Sequence, residues 1–279
     1  MAGMEPGIDV AAATAHICRR IIEAQVVREP WPHLVIEDFL PDEAFARLLA
    51  AIPEDWLRTD VDGPRTWVTP LGDGIMGYKK GSKTRSWDRR RGALEVLADV
   101  FRAINSDREI FNALKKPLWR ELRAGLARFQ ERYETALKVV QLTRLTKDGA
   151  AYQLKPHTDV PSKLVSIIHY VRCDPGAKLG TILYQPKRPQ VRCIGETYHN
   201  FDRFTEFAMV PFKPNSALIF VRDDQTFHGV RFEPGVGDFA RITVQSNFWM
   251  SDPDRRPKPR AKWDGGSTSS QAVQWPEND

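Results

Sequence analysis

YQLKPHTD, residues 152–159, places a His-x-Asp pair, His157 and Asp159, inside a segment that reads as β-strand. In an extended strand, residues two apart project from the same face. An imidazole and a carboxylate therefore enter one small volume. Together they make two thirds of the facial triad of two histidines and one carboxylate that holds non-haem Fe(II) and leaves open coordination positions. The third ligand has to come from a distant strand. His228, in ALIFVRDDQTFHGV just after an apolar run, is in the right setting. Arg241 follows in GDFARITVQSNFWM, where its guanidinium can face the same cavity, and Thr243 lies two residues further along that strand.

The surroundings of the motif strengthen this reading. KDGA supplies a turn before it, and Pro156 and Pro161 flank it. The apolar strand 164–171 follows directly, then the stretch GTILY at 180–184. The order His157-x-Asp159, GTILY, VPFKPNSALIFVRDDQTFHGV and then Arg241 resembles the 2-oxoglutarate/Fe(II)-dependent dioxygenase superfamily, and within it the branch that includes prolyl 4-hydroxylase-like enzymes. The resemblance covers residues 142–250, with weaker echoes in VIEDFLPDEAFARLL at 35–49. It implies an α+β protein, mainly β with flanking helices, around a double-stranded β-helix of the jelly-roll, cupin-like kind.

The resemblance also implies a ligand set. His157, Asp159 and His228 would hold Fe(II). The co-substrate 2-oxoglutarate would chelate the iron, with Arg241 on its distal carboxylate, where a planar guanidinium matches a carboxylate bidentately. Tyr152 and Thr243 are the hydroxyl candidates beside it. Dioxygen would be the oxidant, with ascorbate as an accessory reductant and succinate and carbon dioxide as co-products. Arg241 stands thirteen positions after His228, further than is usual in the family, and the turn FEPGVGDF absorbs the difference. Arg231 is the competing basic residue.

Bulk properties bound the rest. The chain has 279 residues, 42% hydrophobic and 28% charged, which is ordinary for a globular protein with a full core. No apolar run approaches the roughly 20 residues that cross a bilayer. The N-terminus shows no basic region followed by an apolar one. Three scattered cysteines, Cys18, Cys173 and Cys193, argue for a reducing compartment without a disulfide framework, so a cytoplasmic protein is expected. The net charge of +5 is concentrated in residues 79–91 and 255–262, which read as solvated loops or as attraction for an acidic substrate. Nucleic acid is disfavoured, because no binding motif accompanies the charge. The sequence does not indicate an oligomeric state.

Three regions are expected. Residues 1–136 read as a mostly helical region packed on the core. Helices are expected at 8–27, 40–53 and 91–104, then from a Ser106/Glu109 capping box, with a new helix starting at Pro117. A strand is expected at 31–39, and residues 54–91 read as a loop or lid. Residues 137–250 switch to β periodicity and form the jelly-roll core. Residues 251–279 are an irregular tail. His169 and His199 read as structural histidines. The substrate class stays open between a small molecule and an amino acid or peptide. Desaturation or cyclisation at the same site, a non-catalytic cupin-like binding or sensing protein, and a basic interaction protein acting through 79–91 are the alternatives. Halogenation is disfavoured because Asp159 is present.

Overall fold

The structure, a computed structural model, describes residues 8–52, 65–71, 74–76, 91–149, 152–173, 180–193, 195, 198–231 and 240–251. Of the expected loop or lid over 54–91, only 65–71, 74–76 and Arg91 are among the described residues, and the first two are strands rather than loop; of the tail only Ser251 is described.

Four helices are described: α1 Val10–Glu23, α2 Asp42–Ala51, α3 Arg91–Ile104 and α4 Asp107–Arg132. Asp9 caps α1 by accepting from the Ala12 N–H at 2.9 Å. As expected at Pro117, α4 is two helical segments that meet at a kink, with Leu118 at the non-helical φ −118° and ψ 22°, because the proline ring cannot accommodate the preceding turn. Ser106 donates to the Glu109 carboxylate at 2.7 Å, a side-chain contact rather than a full capping box.

Eleven strands form two antiparallel sheets. They are β1 His33–Ile36, β2 Arg65–Leu71, β3 Gly74–Met76, β4 Val140–Gly149, β5 Leu154–His157, β6 Lys163–Arg172, β7 Thr181–Pro186, β8 Phe204–Val210, β9 Ser216–Val221, β10 His228–Val230 and β11 Ala240–Trp249. The larger sheet runs β1-β9-β6-β11-β4-β2-β3 and the smaller β5-β10-β7-β8. The N-terminal region thus contributes three strands to the larger sheet as well as helices. The short β10, unexpected from sequence, pairs with β5 on one side and β7 on the other.

Side-chain parity explains the layering. On β6 and β9, Val165, Ile167, Val171, Ala217, Ile219 and Val221 join the core that includes Ile17, Leu48, Val100 and Leu122 of the four helices. Their neighbours of opposite parity, Tyr170, Leu218 and Phe220, pack with Leu183 and Val210 of the smaller sheet. Strands buried on both faces read as the nearly continuous apolar runs seen in KLVSIIHYV and SALIFV. Each fully buried aliphatic or Phe side chain stabilises the fold by about 1.5–3 kcal/mol. Among the described residues no helix is long and apolar enough to cross a membrane. Cys18, Cys173 and Cys193 are all free thiols.

Candidate metal centre

β5 ends at His157, and β10 begins at His228 directly opposite it in the antiparallel register. The two imidazole centroids are 4.4 Å apart. Asp159 follows two residues after the strand end. One potential ligand atom from each of His157, Asp159 and His228 lies within 4.8 Å of the others. This is the only such group of three or more among the described residues.

The histidines are oriented for coordination. Nδ1 of His157 lies 3.0 Å from the Lys155 carbonyl, and Nδ1 of His228 lies 3.0 Å from the Thr226 carbonyl. A carbonyl oxygen only accepts, so each Nδ1 carries the proton and each Nε2 keeps its lone pair. Burial, helped by the neighbouring His228, pushes His157 down to about 3, and burial also lowers His228. Both rings are therefore neutral near pH 7, the form that binds a metal. For Asp159, burial alone would favour the protonated acid. The Lys163 ammonium and the two imidazoles outweigh it and hold the carboxyl below its ordinary range.

Asp159 is itself held in place. Lys163 Nζ donates to its Oδ1 and Ser166 Oγ to its Oδ2, each at 2.6 Å. Arg222 Nε donates to the Asp159 carbonyl at 3.0 Å, and its Nη2 reaches the Cys193 carbonyl at 3.1 Å. Arg222 is paired with Asp224 at 2.7 Å, and Arg132 of α4 pairs with the same carboxylate. This buried network ties the segment bearing Asp159 to the turn that leads into His228. None of these supports was read from the sequence. VRDDQTF was the available signal, since adjacent charges inside an apolar context must find partners.

The Lys163 ammonium makes a testable electrostatic contribution. It lines the cavity, sits over the Trp249 ring at 5.6 Å, and would repel a cation bound to Asp159. Lys163→Met is expected to tighten Mn(II) or Co(II) binding by about one to two orders of magnitude, measured calorimetrically. Weaker binding in that variant would make Lys163 an orienting group alone.

Gly229 keeps the two histidine strands together. A Cβ there would stand 2.4 Å from the Leu154 carbonyl oxygen and 3.1 Å from the Tyr184 ring. Gly229→Ala is expected to push β10 off β5 and lower Co(II) affinity by about 10- to 100-fold, the usual loss when a ligand's support is disturbed. Unchanged affinity would mean that the strands relax without moving His228.

The triad lines a cavity of about 200 Å³ between the sheets. Tyr198, 61% exposed, also lines it, with its ring centroid 5.3 Å from that of His157. Arg241, 1% exposed, lines it as well. Its Nη1 is 2.8 Å from Asp148 Oδ2, its Nη2 is 3.4 Å from Thr181 Oγ1, and its guanidinium lies over Tyr170 and Phe212. The Tyr170 hydroxyl donates to Thr181 Oγ1 at 2.7 Å. Thr243 shares the strand face of Arg241. It is fully buried, and its Oγ1 has no hydrogen-bond partner among the described residues.

Tyr152 is not brought to the cavity lining; its backbone N–H bonds to the Gly149 carbonyl at 2.9 Å. Arg231 is also absent from the lining. It is exposed, paired with Glu206 at 2.6 Å and set over Phe201. His169 lies in the core, bonded to Asn215 Oδ1 at 3.2 Å, and burial holds it at about 4. His199 is buried against Phe204 and Phe227.

The fold and site together define an antiparallel α+β protein with a His/Asp/His constellation, His157 half-buried and Asp159 and His228 buried, suited to a divalent metal. No family model matches the sequence, and no curated protein matches it. Among solved structures, the chain is similar to a prolyl 4-hydroxylase from Phytophthora capsici, at 15% identity and a TM-score of 0.45, covering 88% of this chain and 67% of that one. It is also similar to a prolyl-4-hydroxylase from Pseudomonas putida, at 12% identity and a TM-score of 0.42, covering 86% of this chain and all of that one. A third similar structure is IDO from Bacillus thuringiensis, at 12% identity and a TM-score of 0.41, covering 89% of this chain and 98% of that one.

Proposed function

We propose that this protein is a non-haem Fe(II)- and 2-oxoglutarate-dependent dioxygenase that hydroxylates an unactivated C–H bond. The observation that carries the reading is the His157/Asp159/His228 constellation, with both Nε2 lone pairs left for a metal by the two carbonyl-bound Nδ1 atoms. The donor set, two imidazoles and a carboxylate, suits Fe(II) and leaves positions for a chelating co-substrate and dioxygen. Eight strands, β4 to β11, are divided four and four between the two sheets, which supports the double-stranded β-helix reading.

The Arg241 side of the cavity suits a carboxylate. Arg241 lines it, and on the same strand face, though not itself in the lining, Thr243 keeps a buried hydroxyl without a hydrogen-bond partner among the described residues. With 2-oxoglutarate, the balanced reaction converts a C–H substrate and dioxygen into alcohol, succinate and carbon dioxide. The bound iron would supply the dioxygen chemistry. The chain's own part is to hold Asp159 through Ser166 and Lys163, to fix both imidazole tautomers, and to exclude bulk water by packing the two sheets. A cavity of this size favours a small molecule, or one side chain of a larger substrate, entering past Tyr198.

Anaerobic titration with Fe(II) and then 2-oxoglutarate tests the reading through the metal-to-ligand charge-transfer band, followed by succinate release against a substrate panel. Stoichiometric metal binding with saturable 2-oxoglutarate binding is the expected result. Metal binding without any response to 2-oxoglutarate would overturn it.

A further inference from the structure

β11 carries two amides on the face that bears Arg241. Gln245 and Asn247 follow Arg241 at even spacing, so all three project towards the smaller sheet, and all three line the cavity. Residues of the other parity, Ile242, Val244 and Phe248, belong to the core shared with the helices. Asn247 is 9% exposed and Gln245 is half-buried, yet neither amide has a hydrogen-bond partner among the described residues. Buried side-chain amides are nearly always bonded, so an unpaired couple in a cavity wall is fitted to something that enters.

The register locates the pair. Asn247 stands opposite Ser166 on β6, whose hydroxyl holds Asp159, and Gln245 stands opposite Ile168. Gln245 is four residues, about 14 Å of strand, from Arg241. The amides are therefore on the Asp159 side of the cavity, away from the residue assigned to the co-substrate's distal carboxylate. Leu154, Ile168 and Val230 supply apolar lining.

A primary amide presents an acceptor C=O and a donor N–H side by side in one plane. The group that satisfies both at once has its own N–H and C=O on one edge. A lactam, a cyclic ureide and a primary carboxamide have that edge. A trans peptide bond turns its two groups in opposite directions, a carboxylate only accepts, and an ammonium only donates. Each of these leaves one atom of the amide unpaired, which weakens binding.

We propose that Gln245 and Asn247 are specificity residues, and that the molecule oxidised here is neutral and presents a cis-amide edge to them, with its apolar part against Leu154, Ile168 and Val230. The proposal rests on the dioxygenase reading above for what happens to that molecule. Its recognition by the two amides is a separate property of the cavity wall.

Binding is read on the full chain loaded with Co(II) and 2-oxoglutarate, by the paramagnetic broadening of ligand protons. The probes are δ-valerolactam, N-methylacetamide, cyclohexanone, cyclohexanecarboxylate and vicinal cyclohexanediol. The lactam is expected to bind tighter than each of the others by about tenfold or more, tenfold being near the low end of what a bidentate amide contact discriminates. Asn247→Leu and Gln245→Met, each close to its parent in volume, should erase that preference. Equal binding of lactam and cyclohexanone, tighter binding of the diol or the carboxylate, no detectable binding of the lactam, or a preference kept by both variants would each overturn the proposal. Weakened 2-oxoglutarate binding in the variants would overturn it too, by placing the amides in the co-substrate site. If Asn247→Leu fails to fold, the wild-type ranking and Gln245→Met still decide. Failure of the wild type to bind 2-oxoglutarate would instead overturn the dioxygenase reading, while the same ranking on the Co(II)-loaded chain still tests recognition by the amides.

Discussion

His228→Ala is expected to lower Fe(II) affinity by at least about a hundredfold and to abolish turnover, with His157→Ala and Asp159→Ala behaving alike. Disturbing even an outer partner of a metal ligand typically costs 10- to 100-fold, so losing a ligand must cost more. The fold should survive, because the three side chains meet at the cavity wall and are not members of the apolar clusters that hold the sheets together. Of the three, Asp159→Ala has the largest structural consequence. It removes the acceptor for Lys163 and Ser166 and leaves a partly buried ammonium without its partner. Asp159→Asn is the milder control: it keeps an acceptor for the Ser166 contact but removes the charge that a divalent metal favours. Metal titration with circular dichroism on each variant separates ligand loss from misfolding. If two of the three variants keep wild-type metal affinity and turnover, the centre lies elsewhere.

Arg241→Ala is expected to raise the 2-oxoglutarate concentration needed for half-saturation by about one to three orders of magnitude. A buried carboxylate deprived of its charged partner costs about 2–5 kcal/mol in binding, and about 1.4 kcal/mol corresponds to tenfold. Iron affinity should change far less, since Arg241 is not among the grouped ligands. The structure adds an effect that the sequence did not foretell. Removing Arg241 leaves Asp148, 0% exposed, without this partner. The variant should therefore also be less stable than the wild type. The double variant Arg241→Ala/Asp148→Leu is expected to regain most of that stability but none of the co-substrate affinity, which separates the two roles. Thr243→Val should show a smaller loss of the same kind as Arg241→Ala. An unchanged midpoint with a lowered melting temperature would make Arg241 only the structural partner of Asp148.

Much of the arrangement was legible in the chain. Strand periodicity from residue 137 onward marked β4 to β9 and β11, because strands flanked by turns and buried on one or both faces carry their pattern locally. β10 was not legible, since three residues are too few for a period. β2 and β3 were not either, because their pairing with β4 and with each other is set by register rather than by composition. The parity argument for His157 and Asp159 holds only in part. β5 ends at His157, and Asp159 is aimed instead by Ser166, Lys163 and Arg222.

The sequence by itself determined which side chains are able to serve as ligands, since ligand chemistry is a property of residue type. It also pointed to His228 as the distant partner of a His-x-Asp pair that read as lying inside a strand. Only the tertiary structure decided which carbonyls fix the imidazole tautomers, that Lys163 shares Asp159, that Tyr152 stays off the cavity wall, and that Arg241 meets Asp148. These partners lie as far as 93 residues apart in the chain. Their contacts exist only once the register of β4, β11, β5 and β10 is set, and that register is chosen by burial across two sheets rather than by any local pattern.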